Sequence, residues 1–159
     1  MAIASVLTNT FKAELLKGGH NFNASGDTPA GDAFKIALYD DSASMGTTTT
    51  VYSASDEVSG SGYSAGGNAL TNTGVGTTTV TSFTDFSDTS WTSASFTARG
   101  CLIYNTDVLT GFTTNRSVCT IDFGGNKTVS SGTFTIQFPT NDASDAIIRI
   151  TSYGALPYG

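Results

Sequence analysis

Charged side chains are scarce in this chain, and the basic ones are the scarcest. Asp, Glu, Lys and Arg together make up 13% of the 159 residues, well below their share in an ordinary soluble domain. The 7 Lys and Arg residues occur singly along the sequence and form no basic stripe that would gather phosphate groups. With a formal net charge of −6, the chain is expected to bind neither nucleic acid nor an anionic membrane.

Histidine, cysteine and long apolar runs are also in short supply. The single histidine, His20, is expected to hydrogen-bond at the end of a helix; a role as general base or pH switch is the alternative. Cys101 and Cys119 lie in apolar runs typical of strands, so we expect two buried free thiols, with a disulfide as the alternative. Two cysteines alone cannot form a tetrahedral zinc site. No apolar run approaches the length of a membrane span.

Small hydroxyl residues and glycine are what the chain has in quantity. It contains 27 Thr, 19 Ser and 18 Gly. Thr suits the extended backbone of a strand because its Cβ is branched, and Gly supplies tight turns. At 159 residues the chain has the length of one domain. The composition therefore predicts a single domain of short strands joined by turns.

One helix is predicted, at residues 9–17. Asn9 or Thr10 can cap its first turn, and the glycines at 18–19 end it because glycine adopts the left-handed backbone of a helix terminus. Its apolar residues are spaced to pack together on a β core: Phe11, Leu15 and Leu16.

Strands are predicted where apolar and polar residues alternate, or where short apolar runs are bounded by turn residues. They cover 33–39, 69–72, 78–83, 89–98, 100–105, 117–123, 126–138 and 146–151, with a further short strand near 51–52. The alternation in 33–39 is typical of a half-buried strand. We expect 89–98 and 100–105 to form a strand pair, and 124–126 to be a turn. The Ser-, Thr- and Gly-rich stretch 41–81 contributes edge strands, or in the alternative is a flexible excursion.

The predicted fold class is therefore mainly β. It is a single-domain antiparallel β-sandwich or jelly-roll-like barrel with one short N-terminal helix. Within this one domain, residues 1–22 form an N-terminal arm and helix, and residues 23–159 form the β domain.

Two short motifs that carry catalysis or cofactor binding in other folds lack their context here. Residues 62–66, GYSAG, match the nucleophile elbow of α/β-hydrolases, which lies between a strand and a helix and is followed by Asp and then His. In this chain the histidine precedes the serine, and no helical pattern follows the motif. Residues 60–65 match a dinucleotide-binding glycine pattern only loosely and lack its βαβ setting.

Acidic residues cluster loosely in three places, at 40–41, 85–88 and 142–145. A glycosidase needs two carboxyl groups facing across a cleft, and a calcium site needs several oxygen ligands on one loop. Nothing in the spacing singles out such a set, so the Asp and Asn side chains are expected to bond their own backbone in turns. The sequence thus predicts no catalytic residue, no cofactor-binding residue, no metal ligand and no enzymatic activity.

Four apolar residues are candidates for an interface with a partner. Phe11, Leu15 and Phe22 belong to the segment 1–22, where the two phenylalanines are either exposed anchors or part of the chain's own core. Trp91 is expected to pack in the core or at a subunit interface, and stacking on a carbohydrate is the alternative.

Blocks of sequence along most of the chain carry a family resemblance. The blocks are 11–16 (FKAELL), 19–22 (GHNF), 32–39 (DAFKIALY), 57–58 (EV), 62–67 (GYSAGG), 70–71 (LT), 97–105 (TARGCLIYN), 122–128 (DFGGNKT), 132–139 (GTFTIQFP) and 146–150 (AIIRI). In this order they resemble small virion structural proteins of tailed bacteriophages. Residues 40–56 match no fixed pattern of that family.

The resemblance implies a structural role in the phage particle, without catalytic residues. It implies a capsid decoration or cement protein that stabilises the major capsid protein lattice, on the surface of a capsid assembled in the host cytoplasm. Copies of the chain are implied as further partners, in a homo-oligomer such as a trimer. The alternative is a tail-fibre or spike-associated module that binds a host glycan or surface protein through an exposed aromatic patch near Trp91 or Tyr104. If segment 1–22 contacts the capsid, removing residues 1–10 is expected to abolish binding and leave the domain folded.

Overall fold

Eight strands and one short helix make up the computed structural model, which describes residues 2–24 and 26–152. The elements, in chain order, are β1 (Val6–Leu7), α1 (Asn9–Leu16), β2 (Phe34–Tyr39), β3 (Asn68–Leu70), β4 (Asn72–Thr77), β5 (Thr81–Phe86), β6 (Thr89–Asn105), β7 (Arg116–Ile136) and β8 (Ile148–Thr151). None of the helices in this described part is long and apolar enough to cross a membrane.

The strands form two antiparallel sheets. The large sheet has the order β1-β7-β6-β2-β3, and the small sheet has the order β4-β5-β8. Apolar residues of both sheets share one buried cluster, in which Phe34 and Ile36 of β2 meet Phe86 of β5 and Ile148 of β8. The mainly β, single-domain antiparallel fold with one N-terminal helix is thus confirmed, and its two packed sheets are those of a β-sandwich.

The centre of the large sheet is one long hairpin, where the sequence predicted shorter strands. Residues 89–98 and 100–105 belong to a single strand, β6, so the prediction of a strand pair is wrong. Residues 124–126 lie inside β7 and not in a turn between two strands. Ala98 pairs with Lys127 while Gly100 pairs with Asp122, so residues 123–126 bulge out opposite a single residue. A glycine with a φ of 73°, as at Gly124, suits a bulge as well as a turn, and sequence alone does not separate the two.

Helix α1 begins and ends close to where the sequence placed it. The N-cap is Thr8, and not Asn9 or Thr10, because the Thr8 Oγ1 atom accepts a hydrogen bond from the Phe11 N–H at 3.2 Å. At the other end, the Gly18 and Gly19 N–H groups donate to the carbonyl oxygens of residues 15 and 14, which are the two bonds of a Schellman motif.

The apolar face of α1 is narrower than the sequence predicted. Phe11 is 1% exposed in the core and Leu15 packs partly against it, whereas Leu16 is 91% exposed. A residue five positions after Phe11 has turned about 140° around the helix from it, which carries Leu16 away from the sheets.

Strand β2 is covered on both faces, so the prediction of a half-buried strand is wrong. Its second face, with Ala37 and Tyr39, packs with β6 residues and with Ala43, Met45 and Tyr52 of the stretch 40–58. That stretch crosses the outer face of the large sheet; of its predicted strand near 51–52, only an isolated bridge at Val51 is formed. A stretch without a clear strand pattern therefore acts as a second covering layer.

Glu57 holds this covering layer in place. Its carboxylate accepts hydrogen bonds from the Tyr52 and Tyr63 hydroxyls, each at 2.6 Å, and from the Gly66 N–H at 2.7 Å. Burial, followed by the hydrogen bond to Glu57, raises the pKa of the Tyr63 hydroxyl further above neutral pH. The carboxylate therefore cross-links the stretch before β3, and the Tyr63 hydroxyl connects it to β2 by accepting a hydrogen bond from the Leu38 N–H at 2.9 Å.

Candidate functional site

The GYSAG motif does not form a nucleophile elbow. Gly62 and Gly66 adopt positive φ angles of 76° and 86° in a turn, and a strand, β3, follows the motif where a hydrolase has a helix. Ser64 is exposed there, while the His20 ring is bonded to Glu14 and Asn105. The residues of the motif serve as a turn.

His20 lies in a buried polar network near the end of α1. Its Nε2 atom is 3.1 Å from the Glu14 Oε2 atom, and its Nδ1 atom is 3.1 Å from the Asn105 Nδ2 atom. An amide nitrogen can only donate, so Nδ1 accepts, and the neutral ring donates from Nε2 to the carboxylate. Burial, followed by the nearby Arg116 guanidinium, lowers the His20 pKa to about 4, against the smaller opposing effect of Asp32. The prediction that His20 hydrogen-bonds at a helix end is confirmed.

We expect this histidine to make the chain less stable as the pH falls from 7 towards 5. The unfolded chain takes up a proton near the ordinary pKa of 6.5 and the folded chain only near 4, so the unfolded state binds more protons in this range. Burial raises the Glu14 pKa, which has the opposite sign of effect. Urea unfolding of wild type and His20→Gln, at several pH values, should show a steeper loss of stability in the wild type. Parallel profiles would refute the assignment.

Arg116 is the centre of the same network. The side chain has no solvent exposure, and its Nη2 atom donates to the Gly19 carbonyl oxygen at 2.6 Å and its Nη1 atom to the Asp107 carbonyl oxygen at 2.7 Å. The carboxylates of Glu14 and Asp32 lie 3.9 and 3.8 Å from the guanidinium. These groups are bound to each other, so the network joins the N-terminal segment to the large sheet.

The acidic clusters form turns or structural contacts. Asp142 accepts hydrogen bonds from the Ser144 and Asp145 N–H groups, which confirms the predicted turn. Asp85 is buried, and its carboxylate accepts hydrogen bonds from the N–H groups of Phe86 and Ile147. Burial raises the pKa of this carboxyl group. Within residues 2–24 and 26–152, no three His, Cys, Asp or Glu side chains are grouped as metal ligands.

The two cysteines are buried and unpaired with each other. Cys101 is fully buried and Cys119 is 3% exposed, as the sequence predicted for free thiols. Burial raises the pKa of the Cys119 thiol to about 12, so it remains protonated and weakly reactive at neutral pH.

The aromatic residues proposed as interface anchors are core residues. Phe11 and Phe22 are 1% and 6% exposed, so of the two alternatives for them the core is correct and exposed anchors are excluded; Trp91, expected to pack, is 3% exposed. Phe22 stacks on Phe34 with 4.6 Å between ring centroids. Leu15 is partly buried against the same cluster. Aromatic side chains that bury this much area stabilise the fold of the chain itself.

The N-terminal arm is also part of the domain. Ile3 is 5% exposed and belongs to the cluster on the outer face of the large sheet, and β1 pairs with β7. Thr8 is fully buried and shares a 2.9 Å hydrogen bond with Ser117. Removing residues 1–10 would therefore destabilise the domain, contrary to the expectation that it stays folded.

A groove beside β1 is the best candidate for a functional surface. It has a volume of about 520 Å³ and runs along the edge of the large sheet, between β1, β7 and the segment after β7. We call it the edge groove. Its apolar walls are Val6, Leu7, Ile121, Phe123, Ile136, Phe138, Pro139 and Ile147.

The lining of the edge groove is mostly apolar. Its polar lining consists of hydroxyl, amide and thiol side chains, and none of its lining residues is charged. Strand β1, of two residues, lies at the edge of the large sheet, a position at which a strand can pair with another extended segment. The groove thus fits an uncharged, extended apolar segment of a partner.

Sequence reasoning missed this groove, although one signal was present. The alternation of Phe134, Ile136 and Phe138 with polar residues predicted one apolar side of the strand. It did not predict that Ile136 and Phe138 are only partly buried. Strands β1 and β7 are far apart in the sequence, so local patterns could not predict that they pair. No protein-family model, curated protein or solved structure matches the chain.

Proposed function

We propose that this chain is a structural component of a tailed-phage virion, a capsid decoration or cement protein that binds and stabilises the major capsid protein lattice. The family resemblance along most of the sequence supports this role. The observation that carries it is the uncharged edge groove beside the edge strand β1, on a domain whose buried Arg116 network joins its own segments.

The proposed contact places an extended apolar segment of the major capsid protein in the edge groove. Covering Ile121, Ile136 and Phe138 removes apolar surface from water, which stabilises the complex in proportion to the area buried. Many such contacts per particle reinforce the lattice even when each is weak. The net charge of −6 favours solubility of the unbound chain.

The tail-fibre alternative depends on an exposed aromatic patch near Trp91 or Tyr104, and both side chains are buried. Trp91 and Tyr104 are each 3% exposed, so neither offers an aromatic face to a glycan. Trp91 packs instead with Tyr63 and Phe134.

An arginine in the edge groove should block capsid binding. Ile136→Arg places a charge among the apolar walls, and we expect affinity for capsids of the encoding phage to fall by at least about tenfold, or 1.4 kcal/mol. Co-sedimentation of the purified chain with capsids lacking it measures this loss. Val129→Arg is the matched control, since Val129 also lies on β7 and is partly buried against the core, but lies outside the groove.

Circular dichroism confirms that each variant is folded before binding is compared. Equal binding by the two variants would remove the edge groove from the proposal. Failure of the wild-type chain to bind the capsids at all would overturn the decoration role.

A further inference from the structure

One wall of the edge groove is a segment that belongs to neither sheet. Residues 137–147 connect β7 to β8, and three of them, Phe138, Pro139 and Ile147, line the groove. We call residues 137–147 the wall segment. The facing wall, β1, is held by its pairing with β7, whereas the wall segment lies between two strands. Its position in the groove therefore depends on other contacts.

Both ends of the wall segment donate a backbone N–H to an aspartate. The Phe138 N–H donates to the Asp88 Oδ1 atom at 2.8 Å, and the Ile147 N–H donates to the Asp85 Oδ2 atom at 3.1 Å. Hydrogen bonds to a carboxylate are stronger than those between neutral groups. The two aspartates thus hold the backbone at the residues where the wall segment enters and leaves the groove.

Neither aspartate lines the groove itself. Asp85 of β5 is 1% exposed, and its Oδ1 atom accepts the Phe86 N–H at 2.8 Å. Burying a carboxylate is costly unless hydrogen bonds replace its water. Phe86 also packs on Phe138, with 5.7 Å between ring centroids. Asp85 therefore links the wall segment to the core, while Asp88, exposed between β5 and β6, binds it from the solvent side.

We propose that Asp85 and Asp88 are positioning residues of the edge groove, which fix its wall segment in the place that a bound partner meets. This inference rests on the proposed capsid binding at the groove. A partner gains apolar contact only where the wall lies at van der Waals distance, because dispersion attraction falls steeply once a gap opens. Releasing either end of the wall segment should therefore weaken binding, although neither aspartate touches the partner.

Amide hydrogen exchange, followed by NMR on the full chain, measures whether these bonds hold the wall segment. Asp88→Ala should speed exchange of the Phe138 N–H at least about tenfold relative to the buried Ile103 N–H, because a bond to a charged acceptor is lost there alone. Asp85→Ala should do the same for the Ile147 N–H. A general loss of stability would speed exchange at Ile103 as well, so the ratio reports the wall segment.

Two further variants serve as controls for the exchange measurement. Asp88→Asn should keep most of the protection, since its side-chain oxygen still accepts the Phe138 N–H. Asp40→Ala is the matched control, because Asp40 also accepts an N–H at 2.8 Å, from Ser42, but on the stretch that covers the outer face of the large sheet. Unchanged exchange at Phe138 in Asp88→Ala, or an equal rise in Asp40→Ala, would overturn the proposal.

Co-sedimentation with capsids that lack the chain tests the consequence for binding. Asp88→Ala should lower the affinity about fivefold or more, and Asp40→Ala should not. If the wild type binds and Asp88→Ala binds equally well, the positioning role is overturned while the decoration role stands. If the wild type binds no capsid, the decoration role fails, and the exchange ratios alone decide whether the aspartates hold the wall segment.

Discussion

Replacing Arg116 by methionine should lower the free energy of unfolding by about 3–5 kcal/mol, the range for breaking a buried ion network from one side. Methionine keeps much of the side-chain volume but donates no hydrogen bond. The carbonyl oxygens of Gly19 and Asp107 lose their charged donor, and the carboxylates of Glu14 and Asp32 lose the guanidinium about 4 Å away. Urea denaturation at neutral pH measures the difference, with an unchanged m value showing that the unfolding transition remains comparable.

Arg99→Met is the matched control for this loss. Arg99 also lies in the large sheet and forms an ion pair with Asp122, with 2.8 Å between Nε and Oδ1, but both side chains reach solvent. Exposed pairs contribute little because water and salt screen them, so the control should change stability far less. Arg116→Lys should fall between the two, since an ammonium cannot serve the same carbonyl oxygens in a planar fork. Equal losses for Arg116→Met and Arg99→Met would show that the buried network does not stabilise the fold.

Replacing Gly67 by alanine should destabilise the domain by about 2–5 kcal/mol, from two costs that add. The first is backbone strain, because Gly67 has a φ of 68°, a conformation that L side chains rarely adopt. The second is overlap, because a Cβ atom at this position would collide with the Ile36 carbonyl oxygen and lie only 2.8 Å from the Ala37 Cα atom, well inside van der Waals contact. Both neighbours belong to β2, the strand covered on both faces, so they cannot move without disturbing two core clusters.

Gly111→Ala separates the two costs. Gly111 has a φ of 87°, and a Cβ atom there would meet nothing within 4 Å, so this variant carries the backbone strain alone. It should lose about 1–2 kcal/mol. Thermal or urea unfolding of the two variants, compared at one pH, should therefore show a clear gap. Losses of the same size would mean that the approach of residues 66–67 to β2 is not a tight contact.

The fold class was predictable from the sequence because its signals are local. The Thr-rich composition indicates strands, and the glycine pair after α1 forms the Schellman motif that ends it. The errors arose where a local signal has two structural meanings. Gly124 suits a bulge as well as a turn, and the apolar residues of β2 alternate cleanly although both faces of the strand are buried.

The candidate site was not predictable because it depends on contacts between distant segments. Val6 lies opposite Thr120, more than a hundred residues away, and this pairing forms one wall of the edge groove. The aromatic interface candidates, Phe11, Phe22 and Trp91, have the character of interface residues, but large apolar side chains fill cores for the same physical reason. Only the three-dimensional packing shows which apolar residues remain at the surface.

The copy number of this chain per virion tests the central claim most directly. Quantitative mass spectrometry of purified particles, with the major capsid protein as the internal standard, measures it. A capsid decoration protein should be present in hundreds of copies, in a simple ratio to the capsid subunits, because each lattice position offers the same binding surface. A count of a few to a few dozen copies, or the absence of the chain from the particle, would contradict the decoration role.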